Sequence, residues 1–434
     1  MEYVIGLVVL LVGLLVSIAL HEVGHLVPAK RFGVRVPTYM VGFGPTLWSR
    51  RRGETEYGLK AIPLGGYVRL VGMFPPADVV GAKPRPGRIG ELVTAVREQS
   101  AEEVLPGEEH RAFYRLSTPK KLVVMLGGPV MNFLIAAVVL TVAYAGIGLP
   151  GLTTTVGVVG DCVRPIDQEE CAPGDPAVPA AQAGLEEGDV LVSLDGQPLA
   201  SWQDFQDAVR GTDGSPVPLV VERDGRETTL ELTPVLAERP VVDEVTGEVV
   251  TDEAGDVVTH EVRYVGLSPT VDLVREPLSA VPARIGEVFT GTAEVVLTLP
   301  ARVWDVVLAV TGVQERDQTS IVGPVGVGRL AGEVTAADAD PLWQVSTLLS
   351  IVGSLNMALF VFNLIPLLPL DGGHVAGALW EGGKRQVARL RGLPRPAPAD
   401  VARMMPVAYG VFALLAVMGV LLVYADLVVP VTLG

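Results

Sequence analysis

The sequence contains few cysteines and few charged residues. Only two of its 434 residues are cysteine, which excludes a disulfide-rich scaffold and a zinc site built from cysteine alone. Charged residues make up 19% of the chain and hydrophobic residues 49%, and the mean hydropathy is +0.43. This balance is too apolar for a soluble protein of this length and indicates a membrane protein.

A surplus of positive charge is also missing. The chain has 33 Lys and Arg against 49 Asp and Glu, a formal net charge of -16. Because a nucleic-acid backbone requires a basic surface, we expect no nucleic-acid partner.

Long apolar segments predict a polytopic α-helical protein with four transmembrane helices in the lipid bilayer of the cell membrane. We expect the helices at 1–29, 122–149, 341–380 and 404–430. The first segment lacks the basic start and the small-residue cleavage site of a signal peptide. Four helices place both termini on the same side of the membrane.

The distribution of charge predicts the orientation of these helices. Residues 30–121 hold 16 basic and 9 acidic side chains, whereas residues 150–341 hold 11 basic and 34 acidic ones. The loop at 381–403 is basic as well. By the positive-inside rule, 30–121 and 381–403 are cytoplasmic connections, and the acidic connection and both termini are extracytoplasmic.

Turn residues divide the first and second connections into smaller elements. Short β-branched and aromatic runs separated by glycine and proline predict β-hairpins over 36–72. Within 150–274, helix, strand and Asp-Gly turn patterns resemble a bacterial PDZ domain, an α/β module, with an acidic insertion at 237–262. Residues 275–340 predict amphipathic helices broken at Pro300, which either lie on the membrane surface or pack against the outer domain.

The sequence His21-Glu22-Val-Gly-His25 is an HExxH motif near the inner end of the first helix. Histidines four residues apart on an α-helix share a face, so both imidazoles can bind one Zn²⁺. Glu22 can then act on a water molecule beside the metal. Ionisable side chains at this depth are costly without such a partner.

A catalytic zinc normally has three protein ligands, so a third ligand must come from elsewhere in the chain. Asp371, at the end of the third predicted helix, is the one acid at a similar depth in another span. Proline and glycine residues around Asp371 predict a broken helix, which membranes tolerate where the backbone lines a protein-enclosed or wet cavity.

Several motifs occur in an order that resembles the site-2 protease family of zinc intramembrane proteases, in particular its bacterial RseP-like members. The motifs are HEVGH in the first helix, GFGP and IPLGGYVRL in the hairpin region, GGPVMN in the second helix, TSIVGPVGV and NLIPLLPLDGG. The resemblance implies that the hairpin region is associated with the membrane. RseP-like proteins often carry two PDZ modules, whereas this sequence predicts one.

The resemblance implies a zinc-dependent endopeptidase that performs regulated intramembrane proteolysis. It implies metal ligands at His21, His25 and Asp371, a general base at Glu22, and a substrate contact at Asn363. Asn363 could equally bond the backbone of the broken helix.

The resemblance also implies a substrate, a single-pass transmembrane protein such as an anti-sigma factor. This substrate would be cut near the cytoplasmic side of the membrane. The PDZ-like groove would bind a peptide or C-terminus.

A protein of another class remains an alternative: a metal-dependent transporter, or a PDZ adaptor without proteolysis. Neither requires a glutamate between the two histidines, so Glu22 favours the protease. Cys162 and Cys171 lie close together in the outer connection, where we expect a local disulfide.

Overall fold

The computed structural model describes residues 2–83, 86–163, 171–241, 249–250, 257–316 and 320–431. The helices are α1 (Glu2–Arg31), α2 (Ala77–Val80), α3 (Arg88–Glu102), α4 (Thr118–Thr141), α5 (Pro179–Gln182), α6 (Trp202–Arg210), α7 (Val281–Val310), α8 (Pro324–Ala336), α9 (Pro341–Asn363), α10 (Asp371–Leu390) and α11 (Met405–Val428). The strands are β1 (Thr38–Arg52), β2 (Thr55–Arg69), β3 (Leu149–Val159), β4 (Val190–Leu194), β5 (Gln197–Pro198), β6 (Val217–Arg223), β7 (Arg226–Leu232), β8 (Val235–Pro240), β9 (Thr259–Tyr264) and β10 (Leu267–Val274).

The chain divides into two compact units. The first is formed by both ends of the chain, Met1–Ala143 and Pro277–Gly434, and the second is formed by Tyr144–Glu276. Within the second unit the ends of the segment meet, because the Glu276 backbone N–H donates to the Tyr144 carbonyl oxygen at 3.0 Å. The second unit is therefore a single insertion between the helices of the first.

The described part of the chain holds four helices long and apolar enough to cross a membrane. They cover Tyr3–Arg31, Thr118–Ile147, Pro341–Asn363 and Val401–Val428. The four predicted spans are thereby confirmed as apolar helices, and the protein is a multi-pass membrane protein.

The third predicted span differs from the structure in its extent. Instead of one span over 341–380, the structure has α9 ending at Asn363 and α10 beginning at Asp371. Pro366 and Pro369 have no backbone N–H to continue the helix, which accounts for the interruption. Helix α10 then runs to Leu390, into the loop predicted for 381–403.

The break predicted at Pro300 is wrong, because α7 continues through this residue. A proline inside a helix removes one backbone hydrogen bond, and its ring clashes with the carbonyl four residues earlier. A helix of 30 residues keeps enough other hydrogen bonds to continue through such a site.

Small residues bring α8 close to α1 in the first unit. A Cβ atom added to Gly6 would lie 2.1 Å from the Ala331 carbonyl oxygen. The start of α8 is fixed to α11 by Asp426, whose buried carboxylate accepts a hydrogen bond from the Gly326 N–H at 2.7 Å and pairs with Arg316 at 3.0 Å.

Strands β1 and β2 form a bent antiparallel sheet beside α1. Residues 38–41 of β1 pair with residues 66–69 on one side and with residues 56–59 on the other. The hairpin predicted over 36–72 is therefore confirmed. Tyr39 attaches it to α1, because its hydroxyl donates to the Ala19 carbonyl oxygen at 2.8 Å, and burial raises the pKa of Tyr39 to about 12.

The second unit is built on a six-stranded sheet. The strand order is β10-β3-β4-β6-β7, with β5 paired to β4, and β8 and β9 form a separate hairpin. The core lies between α6 and the sheet, with Phe205, Leu191 and Leu219 almost fully buried. Positive φ angles of 48° at Asp195 and 76° at Gly196 form the predicted Asp-Gly turn.

The predicted acidic insertion at 237–262 corresponds in its arms to β8 and β9. The turns expected between those arms lie largely outside the described residues. The final strand β10 starts at Leu267, after Tyr264 has ended β9. A disulfide joins Cys162 and Cys171, as expected.

Candidate active site

The two histidines of the HEVGH motif meet on one face of α1. One helical turn separates His21 from His25, and their Nε2 atoms are 3.2 Å apart. The His25 Nδ1 atom lies 2.8 Å from the Val124 carbonyl oxygen of α4. A proton on Nδ1 would make this hydrogen bond and leave the Nε2 lone pair free to bind a metal.

Asp371 comes to the same point from a distant part of the sequence. Its Oδ2 atom lies 3.3 Å from Nε2 of His21 and 3.3 Å from Nε2 of His25. Asp371 is the first residue of α10, where a negative side chain is favoured by the positive end of the helix dipole. The structure therefore brings together all three residues that the sequence predicts as ligands.

The three ligand atoms fit a zinc ion. Tetrahedral zinc with bonds of about 2.0–2.1 Å places its ligand atoms about 3.3–3.4 Å from one another. The observed separations of 3.2, 3.3 and 3.3 Å agree with this value. Within the described residues, the buried Asp371 Oδ2 makes no hydrogen bond, so a cation would satisfy it.

Glycines at the crossing of α1 and α4 make this geometry possible. A Cβ atom added to Gly24 would lie 2.2 Å from the Gly127 carbonyl oxygen, and one added to Gly128 would lie 2.2 Å from His25 Nε2. The close approach of the two backbones places α4 directly against both imidazoles. Sequence reasoning noted the GGPVMN motif but missed this function of its glycines; the pairing of glycines in two apolar helices was the available signal.

Glu22 is 9% exposed and lies beside the hairpin. A Cβ atom added to Gly66 of β2 would approach Glu22 Cγ to 3.0 Å, so the strand lies in tight contact with Glu22 where it passes over α1. The carboxylate opens into a cavity of about 360 Å³. This cavity is lined by His21, Glu22, His25, Gly66, Val68 and Asp371, among others.

Residues 66–69 form one edge of the hairpin sheet at this cavity. Within the described residues, this segment pairs with β1 on one side only. Gly66, Tyr67 and Val68 line the cavity next to the ligands. An extended peptide added to this edge would pass close to Glu22.

Asn363 and His374 complete the cavity wall. The Asn363 side chain lines the cavity and its Nδ2 donates to the Leu359 carbonyl oxygen at 3.0 Å, so it bonds the end of its own helix. His374 lies 6.3 Å from the Phe74 ring, measured between ring centroids. Burial lowers the pKa of His374 to about 4, which leaves the imidazole neutral at pH 7.

A multi-pass helical membrane protein with a His-His-Asp group that could hold a metal ion, and with an adjacent glutamate, fits the class of membrane-embedded zinc metalloproteases. Comparison with known proteins identifies the family: the model of Peptidase family M50 matches residues 9–393, and the chain belongs to this family. It is a zinc metalloendopeptidase of the site-2 protease type.

Curated relatives match most or all of the chain. Zinc metalloprotease Rip1 of Mycobacterium tuberculosis is 34% identical over 441 residues, which cover 100% of both chains. Zinc metalloprotease Rip1 of Mycolicibacterium smegmatis is also 34% identical, over 449 residues and 100% of both chains. Metalloprotease MmpA of Caulobacter vibrioides is 29% identical over 399 residues, or 89% of each chain. These relatives favour the protease over the transporter or adaptor.

Proposed function

We propose that this protein cuts a single-pass transmembrane protein within or beside the bilayer, with His21, His25 and Asp371 as zinc ligands and Glu22 as the general base. The observation that carries the proposal is the convergence of three ligand atoms within 3.3 Å next to a buried carboxylate. Zinc bound there would polarise the scissile carbonyl and make water more acidic.

Glu22 provides the proton transfer in this proposal. Its carboxylate takes a proton from the attacking water and returns it to the nitrogen of the departing amine as the C–N bond breaks. The His25 hydrogen bond to Val124 holds one ligand in place during this step.

The substrate must be held as an extended strand, because an intact transmembrane helix hides its amides in backbone hydrogen bonds. The edge at residues 66–69 supports this role, since Gly66, Tyr67 and Val68 line the cavity that contains Glu22 and this segment pairs with β1 on one side only within the described residues. Asn363, at the end of α9, lines the same cavity and is placed to contact the extended substrate. An anti-sigma factor already trimmed outside the membrane fits this proposal as substrate.

The proposal assigns the second unit to the extracytoplasmic side as a PDZ-like domain. Its acidic composition supports this side, and the basic connections support a cytoplasmic location for the metal centre. A groove of about 280 Å³ between α6 and residues 260–267 is lined by apolar side chains, including Phe205, Val209 and Tyr264. Such a groove between a helix and a strand accepts an extended peptide or C-terminus.

The substitution Glu22→Gln tests the proposed mechanism. It keeps the size of the side chain but removes the base, so cleavage of a reconstituted single-pass substrate should slow by about 10² to 10⁴ while zinc stays bound. Metal analysis and gel-based cleavage measure the two properties. Cleavage near the wild-type rate would overturn the assignment of Glu22.

Membrane proteomics of cells that carry Glu22→Gln tests the proposed substrate class. We expect single-pass proteins that have lost their outer domains to accumulate, with an anti-sigma factor among them. Accumulation of only soluble or multi-pass proteins would contradict this assignment.

A further inference from the structure

A second cavity lies on α10, away from the metal centre. It has a volume of about 620 Å³ and lies between the start of α4 and the C-terminal half of α10. We call it the basic cavity; its lining includes Ser117, Thr118, Gly382, Arg385, Arg389 and Arg395. Gly382 permits the close approach of the two helices, since a Cβ atom there would lie 2.8 Å from Thr118 Cγ2.

The charge around the basic cavity is strongly one-sided. Residues 115–121 and 381–395 together contain eight Lys or Arg and a single acid, Glu381. That acid is already neutralised, because its carboxylate pairs with Lys121 at 2.8 Å and with Arg385 at 2.6 Å. Arg389 and Arg395 make no ion pair within the described residues, so the cavity favours an anion.

The hydrogen-bond donors of the lining residues indicate which anion fits. Thr118 Oγ1 and Arg385 Nε are buried and make no hydrogen bond within the described part of the chain. Both atoms can donate, as can the guanidinium groups of Arg389 and Arg395. A ligand with several acceptor oxygens and a negative charge, such as a phosphodiester, would pair with the exposed guanidinium groups of Arg389 and Arg395.

An exposed apolar stripe adjoins the basic cavity on the same helix. Leu379, Trp380, Val387 and Leu390 are between 47% and 76% exposed. At 100° per residue these four side chains fall within an arc of about 100°, next to the face that carries Arg389. Trp beside apolar side chains is typical of the membrane interface.

We infer that the basic cavity binds the phosphate of an anionic glycerophospholipid, whose acyl chains lie along the apolar stripe of α10. The charge selects an anionic headgroup, and the stripe distinguishes a lipid from a free phosphate. Helix α10 also begins with Asp371. A bound lipid therefore restrains the helix that supplies one side chain of the metal centre.

Native mass spectrometry of the full-length protein, titrated in micelles, tests this inference. Dioctanoyl phosphatidylglycerol should form a saturable complex, with at least tenfold weaker binding of dioctanoyl phosphatidylcholine. The double variant Arg389→Gln/Arg395→Gln should bind phosphatidylglycerol about tenfold more weakly, because two charge-assisted contacts are lost. Circular dichroism checks that the variant is folded.

The matched control is Lys384→Gln/Arg391→Gln, which removes the same charge from residues that do not line the cavity. It should change the affinity by less than about twofold. Equal losses in both double variants would show nonspecific attraction and overturn the site. If inorganic phosphate displaced the lipid at a similar concentration, the ligand of the cavity would be a free anion. That result would overturn the inference.

Discussion

At the scale of single residues, the proposed metal centre depends on atoms that are not ligands. The Val124 carbonyl oxygen orients His25, and the missing side chain of Gly128 leaves room for both imidazoles. A carbonyl and a glycine cannot be recognised as site components by their chemistry, yet they determine where the ligand atoms point.

Removal of single ligands should separate the contributions of histidine and carboxylate. We expect His21→Ala to abolish stoichiometric zinc binding, because one of three converging donors is lost. Asp371→Ala should retain part of the metal, since water can replace a carboxylate, but it should lose cleavage activity. Zinc content of the purified variants provides the measurement. If both variants contained as much zinc as the wild type, the ligand assignment would be wrong.

Gly128→Ala should weaken zinc binding without changing any ligand. The added methyl group would lie 2.2 Å from His25 Nε2 and 2.7 Å from His21 Nε2, so the imidazoles must move apart. We expect a loss of about 10- to 100-fold in zinc affinity, as for other residues that support metal ligands. Competition with a chelator measures it. Gly419→Ala on α11 is the control, because a Cβ atom there meets no atom within 4 Å.

At the scale of elements, the second unit contains an ion pair between the half-buried Arg223 and the buried Asp189 that makes its stability depend on pH. Arg223 donates through Nε and Nη2 to the two carboxylate oxygens of Asp189, each at 2.7 Å. The hydrogen bond from Arg223 holds the pKa of Asp189 below its usual range. Asp189 is 1% exposed and fixes β4 to β6.

The stabilisation by Asp189 should be lost only in acid. Because the folded-state pKa lies below the unfolded value of about 3.9, the contribution is complete above about pH 5 and declines as the pH falls through the folded-state pKa. Asp189→Asn should lower the stability of the second unit by about 2 kcal/mol at pH 7 and reduce its acid sensitivity. Hydrogen exchange of residues 185–223 in the full-length protein measures both effects. An unchanged acid sensitivity in the variant would contradict this account.

Much of the site and of the helix order could be predicted from the sequence, for definable reasons. HEVGH has a fixed helical spacing, and Asp371 is the one acid in another span at the depth of the two histidines. These residues could therefore be proposed as ligands from the sequence alone. The glycines of α1 and α4 signal a close approach of the two helices, but the contact of Gly128 with the imidazoles could not be predicted, because α4 is apolar on every face and its pattern does not show which face meets α1. The continuation of α7 through Pro300 likewise depends on the length of the surrounding helix.

At the scale of the whole molecule, the proposed orientation can be tested by chemical labelling. A cysteine introduced at position 82 should be protected from impermeant reagents on intact cells, because residues 30–121 carry the excess of basic side chains. A cysteine at position 250, in the acidic second unit, should react. The native cysteines are joined to each other and contribute no background. The reverse labelling pattern would invert the proposed topology.

The assembly of the first unit from both ends of the chain has a consequence for protein synthesis. Asp371 is translated 346 residues after His25, which at about 5–20 residues per second corresponds to roughly 17–70 s. During that interval the HEVGH helix is already made, and the compact second unit is translated in full. No nascent chain shorter than 371 residues has the full ligand set. The ribosome therefore delivers an inactive membrane protein for most of translation, and hydrolytic capacity arises only after Asp371 has been translated.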